Sequence, residues 1–213
     1  DFITISEFSK KILKPYLPSG AKIYYVNNPI EIPRDKPVPV QDNKKFIMVG
    51  RLSKEKGPHL LAMASRMLGC ECIFVGDGDC RSDIEKILPG TQITGWLSYQ
   101  EVQNYLQTAR ALVLPSLLYE TQGLVVAEAA AMGIPAVVPD TSAARDMVVN
   151  GLTGLWFRGG SVADLAKKIA VLQDAETARK MGQAAYERYW SNPYTMDAHI
   201  NKLLEVYEKI LSS

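Results

Sequence analysis

The chain has 213 residues, enough for one large domain or for one domain and part of another. At 47% hydrophobic and 22% charged, with 24 basic against 23 acidic side chains and a net charge of +1, its profile is that of an ordinary globular protein, without the basic excess of a nucleic-acid binder. Long apolar runs such as GLVVAEAAAMGIPAVVP are broken by Glu, Gly and Pro before they reach the ~20 residues of a membrane span, so no transmembrane segment is predicted, and no signal peptide opens the chain.

In chain order, ITIS (3–6), a helix-like stretch over 7–17 and KIYYV (22–26) predict a β-α-β piece. The proline-punctuated segment NNPIEIPRDKPVPVQDN (27–43) reads as a linker and a domain boundary. From residue 46, short β-branched runs alternate with amphipathic stretches. FIMVG (46–50), CIFVG (72–76), TQITGW (91–96), ALVLP (111–115), PAVVP (135–139) and GLTGLWF (151–157) predict buried strands. Helical spacing covers 58–69, 79–88, 98–109 and 123–132, with a capping box at Ser98 and Glu101, and then 161–172, 175–190 and 195–211. Regular alternation of this kind implies an α/β fold with a doubly wound parallel sheet, helices on both faces and ligands beyond the carboxyl ends of the strands.

Three cysteines, Cys70, Cys72 and Cys80, fit neither a zinc ribbon nor a disulfide framework and are expected to be reduced, as in a cytoplasmic protein. His59 and His199 are far apart in sequence and belong to no cluster with metal-ligand spacing, so no protein metal site is expected. In VGDGD (75–79), Asp77 and Asp79 have the D-x-D spacing of some divalent-metal sites, but the flanking glycines favour a tight turn with Asp79 capping the next helix. Neither a Walker A loop nor a G-x-G-x-x-G fingerprint is present.

GRLSKEKG (50–57) puts Arg51 and Lys56 at the carboxyl edge of the predicted sheet, where two fixed cations suit an anion. In ETQGLVVAEAAAMG, a helix is expected to begin near Gly123, whose missing side chain leaves first-turn N–H groups open to an anion. Glu120 falls just before that helix and Glu128 in its second turn. Carboxylates accept hydrogen bonds from hydroxyls, so two of them flanking an anion describe a sugar nucleotide, with diphosphate between ribose and sugar. The alternative is a pair of satisfied structural carboxylates.

With these pieces, the chain resembles the C-terminal, donor-binding half of the retaining GT-B glycosyltransferases of the family-4 type. The likeness runs in order through GRLSKEKG, VGDGD, ITGWLS, ALVLPSLLYETQGLVVAEAAAMGIPAVV and NGLTGLWF. It implies a Rossmann-like domain over 41–192, a remnant of an acceptor-binding domain with the interdomain linker over 1–40, and a C-terminal helix over 193–213 crossing back to that missing domain. It further implies that Arg51 and Lys56 contact the donor diphosphate, that Gly123 and Leu124 offer backbone N–H groups to it, and that Glu120 reaches the sugar and Glu128 the ribose. Trp96 and Leu97 would line the base pocket, and Gly50, Gly76, Gly78, Thr121 and Gln122 complete the expected donor site. Arg51, Lys56 and Glu120 are the expected catalytic set, with no metal and no cofactor beyond the nucleotide-sugar substrate. Two departures stand out: the family usually has an aromatic residue where this chain has Gln122, and a glutamate where it has Asp146.

The expected reaction is transfer of a sugar to a glycan or lipid-linked acceptor with retention of configuration, by front-side displacement, in polysaccharide or glycoconjugate synthesis. The fragment by itself would be inactive. A cytoplasmic location, compatible with peripheral attachment to the inner face of the membrane, goes with that expectation. The competing readings are a non-catalytic sugar-nucleotide-binding module and a hydrolysing or epimerising sugar-nucleotide enzyme on the same fold; the latter would need a catalytic cluster that the sequence lacks.

Overall fold

A computed structural model describes residues 1–118 and 120–212. The N-terminal piece is a β-α-β unit: β1 (Phe2–Thr4), α1 (Glu7–Leu13), a 3-10 turn at Lys14–Tyr16 and β2 (Ile23–Tyr25). Ser6 caps α1 by accepting from the Ser9 N–H at 2.9 Å. The predicted helix over 7–17 is shorter than expected because Pro15 opens the 3-10 turn. β1 and β2 pair in parallel as a sheet of their own.

The main unit comprises β3 (Lys45–Val49), α2 (Pro58–Leu68), β4 (Cys72–Val75), α3 (Arg81–Ile87), β5 (Gln92–Ile93), α4 (Tyr99–Leu106), β6 (Ala109–Val113), α5 (Leu124–Ala131), β7 (Ala136–Pro139), β8 (Gly154–Phe157), α6 (Val162–Gln173), α7 (Ala175–Ser191) and α8 (Met196–Leu211). Its six strands are all parallel in the order β5-β4-β3-β6-β7-β8. Right-handed crossovers run outward from β3 in one direction and from β6 in the other, so the connecting helices fall on opposite faces. α2 packs against α3 and α6, while α5 packs against α7. The doubly wound expectation therefore holds, and the direction of winding changes between β3 and β6. Ligand crevices form at such a switch point.

Apart from the short, partly exposed β5, the strands are buried from both sides, which explains why their sequences are nearly continuous apolar runs rather than alternating ones. Phe46, Ile47, Met48, Phe74, Leu112 and Phe157 are among the fully buried side chains. Several boundaries differ from the sequence expectation, among them β5, which spans only Gln92–Ile93 and is partly exposed where a buried strand over 91–96 was expected. β6 begins at residue 109, the expected end of a helix over 98–109, and takes in residue 110, while α4 stops at Leu106. Arg110 is the reason the pattern misleads: it is charged yet buried within a strand. Its guanidinium donates to the carbonyls of Asn43 (2.7 Å), Gln41 (3.2 Å), Leu172 (3.1 Å) and Gln173 (2.8 Å), joining the start of the sheet to the carboxyl end of α6, where positive charge is favoured.

Residues 27–43 contain one 3-10 turn, Val40–Asp42, and otherwise irregular backbone. They are nonetheless anchored: the Ile30 N–H donates to Tyr194 O at 2.8 Å and the Val38 N–H to Met132 O at 2.8 Å, with Ile30 buried against Ala127, Ala131 and Tyr189. Among the described residues, no helix is long and apolar enough to cross a membrane.

Candidate functional site

Four loops meet at the carboxyl edge of the sheet. The loop after β3 is bonded to the loop after β4: Leu52 N–H donates to Asp77 O at 2.9 Å, and Cys80 N–H to Leu52 O at 2.8 Å. The approach is so close that a Cβ on Gly76 would stand 2.1 Å from Gly50 O, and one on Gly78 would stand 2.6 Å from Leu52 O. Gly76 and Gly78 thus serve loop-to-loop contact. Their predicted place at the donor site rests on what this contact positions, since no side chain could be fitted there.

Asp77 accepts from the Gly78 N–H at 2.9 Å and pairs with Arg81 at 3.2 Å, as a turn residue does. Asp79 does not cap the following helix as expected; the cap position is Cys80, and no side chain bonds there. The chain turns one residue later than the sequence implied, leaving Asp79 exposed. No group of three or more His, Cys, Asp or Glu among the described residues could hold a metal ion.

The loop before α4 joins the same edge. Thr94 Oγ1 accepts from the Gly76 N–H at 3.2 Å, and Gly76 and Gly95 form an isolated bridge. Trp96 is 68% exposed at this edge, free for stacking, whereas Leu97 is half-buried against the core. The capping box at Ser98 and Glu101 is present as expected.

The loop between β6 and α5 completes the edge. Leu117 N–H donates to Glu55 O at 2.8 Å, and Ala143 N–H donates to Glu120 O at 3.1 Å, so this loop is held from both sides. Gly123 takes the cap position of α5 with φ of 81°, a left-handed conformation that suits glycine, and no side chain among the described residues makes a cap hydrogen bond there. A Cβ there would also stand 3.0 Å from the Ala144 Cβ.

Lys56 and Glu120, predicted to hold phosphate and sugar respectively, are in direct contact: Nζ lies 2.7 Å from Oε1, with side chains 31% and 14% exposed. Arg51 is exposed and makes no ion pair among the described residues. Glu55 accepts from the Ser53 hydroxyl, and that bond, with Arg51 and Lys56 nearby, holds its carboxyl below the usual range. Glu128 is placed differently from its partner in the motif. It is half-buried, burial pushes its carboxyl above the ordinary carboxylate value, and a hydrogen bond from Tyr99 offsets part of the rise. Tyr99 is a site residue that motif reading missed. Its sequence signal was faint, an aromatic at the first position of the helix that follows the Trp96 loop.

Thr121 is exposed, and its carbonyl accepts from Ser9 Oγ at 3.2 Å. Gln122 is 2% exposed, with its side chain on the backbone of Asn28. Asp146 accepts from the Phe8 N–H at 2.9 Å, joining the start of α1 to the edge beside Gly123. Leu124 opens α5 and is half-buried.

Residues 30–188 match the family model described as glycosyl transferases group 1. The chain is 28% identical over 185 residues to the alpha-D-kanosaminyltransferase of Streptomyces kanamyceticus, covering 80% of this chain and 47% of that protein. It is 34% identical over 160 residues to the glycogen synthase of Mycobacterium tuberculosis, covering 70% of this chain and 38% of that protein. Among solved structures, the sucrose-phosphate synthase of Thermosynechococcus elongatus superposes with a TM-score of 0.86 at 21% identity, over 99% of this chain and 58% of that one. HepE from Anabaena in complex with UDP gives 0.81 at 19% identity, over 99% of this chain and 63% of that one. The two solved structures share the fold, and the chain spans less than half the length of the two curated relatives.

Proposed function

Since the chain belongs to the group 1 glycosyl transferases, we propose that it is the donor-binding part of a sugar transferase that takes a nucleoside-diphosphate sugar and, with a further domain holding a glycan or lipid-linked acceptor, transfers the sugar with retention of configuration. The observation that carries this reading is that the Arg51–Lys56 loop, an α5 start with no side-chain cap bond among the described residues and two carboxylates with separate surroundings all lie on elements beside the β3/β6 switch point. HepE, which shares the fold, has been crystallised with UDP.

In this reading Arg51, Lys56 and the first-turn N–H groups of α5 receive the diphosphate, and their fixed positive charge stabilises it as it leaves. Lys56 has three N–H donors, so it can keep Glu120 with one and reach phosphate with another. Glu120, held against the cation, keeps lone pairs for a sugar hydroxyl. Glu128, on the far side near Tyr99 and Trp96, accepts from the ribose. As the bond from the anomeric carbon to the diphosphate oxygen breaks, the acceptor hydroxyl enters from the same face and gives its proton to that departing oxygen, without a protein nucleophile and without metal.

The further domain is supported by apolar side chains that this chain leaves uncovered. Met196, Ile200, Leu204, Tyr207 and Leu211 follow one face of α8 and are all exposed, as are Phe2 and Ile3 of β1 and Ile12 and Leu13 of α1. α1 has no buried residue. The test is calorimetry of the chain against UDP, GDP and ADP, with transfer assayed in parallel on glycan acceptors. Saturable binding of one nucleotide with no transfer by the chain alone is expected. Binding of none overturns the donor site, and robust transfer by the chain alone overturns the division of labour.

A further inference from the structure

Gln122 sits between the two ends of the donor loop, one residue after Thr121 and one before Gly123, yet its side chain faces away from the α5 start. It is 2% exposed, and it brackets one residue of the linker: Asn28 N–H donates to Oε1 at 3.3 Å, and Nε2 donates to Asn28 O at 3.4 Å. The pairing is reciprocal, so only one orientation of the amide satisfies both groups. A buried amide with both partners on one residue 94 positions away is a tie between two segments rather than a space-filler.

The same stretch of linker is gripped near the other carboxylate. The Tyr99 hydroxyl, beside the Glu128 carboxyl, donates to Glu31 O at 3.3 Å. Linker residues 28 and 31 therefore touch the neighbours of both donor-site glutamates. Room to move flanks these ties: a cavity of about 250 Å³ lies beside Asn27, Tyr194 and His199, and one of about 380 Å³ lies between residues 32–39 and the faces of α4 and α5. The segment is held at discrete points, the Ile30 N–H on Tyr194 O among them, and the tie to Gln122 is the one that meets the donor loop.

We propose that Gln122 is a positioning residue that couples occupancy of the donor loop, Glu120 to Gly123, to the setting of the linker at Asn28. The inference rests on the donor-site reading above. A nucleotide that draws Lys56 and orders the α5 start fixes the loop carrying Gln122, and the fixed amide holds Asn28. Linkage makes the effect reciprocal, so a linker held by Gln122 favours the nucleotide by the same factor.

The measurement is hydrogen exchange of the Asn28 amide, resolved by NMR, with and without whichever of UDP, GDP or ADP binds the wild-type chain. Three chains are compared: wild type, Gln122→Met, which fills the space without the two bonds, and Gln122→Glu, which keeps the acceptor for the Asn28 N–H. In wild type, nucleotide slows exchange at Asn28 by about fivefold or more, the low end of measured couplings. In Gln122→Met the free chain exchanges faster, nucleotide leaves the rate unchanged and affinity falls by the same factor, while Gln122→Glu recovers the nucleotide-induced slowing. A purely structural glutamine would lower thermal stability in Gln122→Met yet leave the ligand-induced slowing intact, and that result in folded protein overturns the proposal. Nucleotide binding to wild type without slowing at Asn28 overturns it equally. Absence of any nucleotide binding to wild type instead overturns the donor-site reading, and the coupling with it.

Discussion

Lys56 Nζ rests 2.7 Å from Glu120 Oε1, so the cation expected to receive phosphate is already partnered by the carboxylate expected to receive the sugar. The two belong to different loops, 64 residues apart in sequence. Pairing them in advance sets the distance between the phosphate and sugar positions before a ligand arrives. It also means that a phosphate would share the charge of Lys56 with Glu120.

That sharing has a measurable sign. In Glu120→Gln, Lys56 is freed from its ion pair, so affinity for the nucleoside diphosphate is expected to rise by up to about fivefold, the worth of a partly exposed pair near 1 kcal/mol. Affinity for the full sugar nucleotide is expected to fall, because a hydrogen bond to a charged acceptor, about 1.5–3 kcal/mol, is lost. Lys56→Ala weakens both ligands. Calorimetry on the three chains checks this, and a fall in diphosphate affinity for Glu120→Gln would show that Glu120 acts on the nucleotide itself.

The buried strands were legible because they are short apolar runs closed by Gly or Pro, and Arg51, Lys56, Glu120, Gly123 and Glu128 were legible because they occupy fixed offsets at strand ends. What the chain does with those residues once folded was not. Nothing in ETQG says that Gln122 turns inward to Asn28 or that Lys56 reaches Glu120, since contacts between residues 94 or 64 positions apart depend on loop paths that local pattern does not encode. The start of β6 was misplaced for a related reason. A charged residue inside a strand reads as surface until the four carbonyls around Arg110 are known.

Arg110 gives the stability prediction. Arg110→Met keeps the volume but strands four buried or partly buried carbonyls at the end of α6 and in the segment ahead of β3, and the expected loss is about 3 kcal/mol, the upper end for an acceptor left unpaired. Arg110 lies at the opposite end of the sheet from the donor edge, at the start of its strand, so nucleotide affinity of the folded variant should match wild type. Urea unfolding and calorimetry together check both halves.

Chelation tests the metal-free reading. Asp77 is committed to the Gly78 N–H and to Arg81, so nucleotide affinity is expected to change less than about twofold in EDTA, well within the roughly tenfold that 1.4 kcal/mol would bring. Loss of binding in EDTA with recovery on adding manganese would assign Asp77 and Asp79 to a metal and overturn it.

Glu128 connects the site to pH. Burial pushes its carboxyl above the ordinary value of 4.5, with the Tyr99 hydrogen bond opposing. A carboxyl whose folded pKa is raised is disfavoured in its ionised form by the fold, so its favourable contribution is present below the unfolded pKa and is lost as pH rises through the folded one. At neutral pH the free chain therefore carries a destabilised carboxylate, and Glu128→Gln is expected to melt at the same temperature as wild type or higher. Under the proposed role, ribose needs the opposite state, because the carboxylate is the form that accepts from both hydroxyls. Nucleotide affinity should accordingly weaken as pH falls through the raised pKa of Glu128, and Glu128→Gln should bind about 10- to 150-fold more weakly at neutral pH, the loss of a bond to a charged group, with that part of the pH dependence gone. Thermal melts and nucleotide titrations between pH 4 and 8 on both chains check the two signs together; a variant that is less stable than wild type and binds nucleotide equally well would make Glu128 a structural residue.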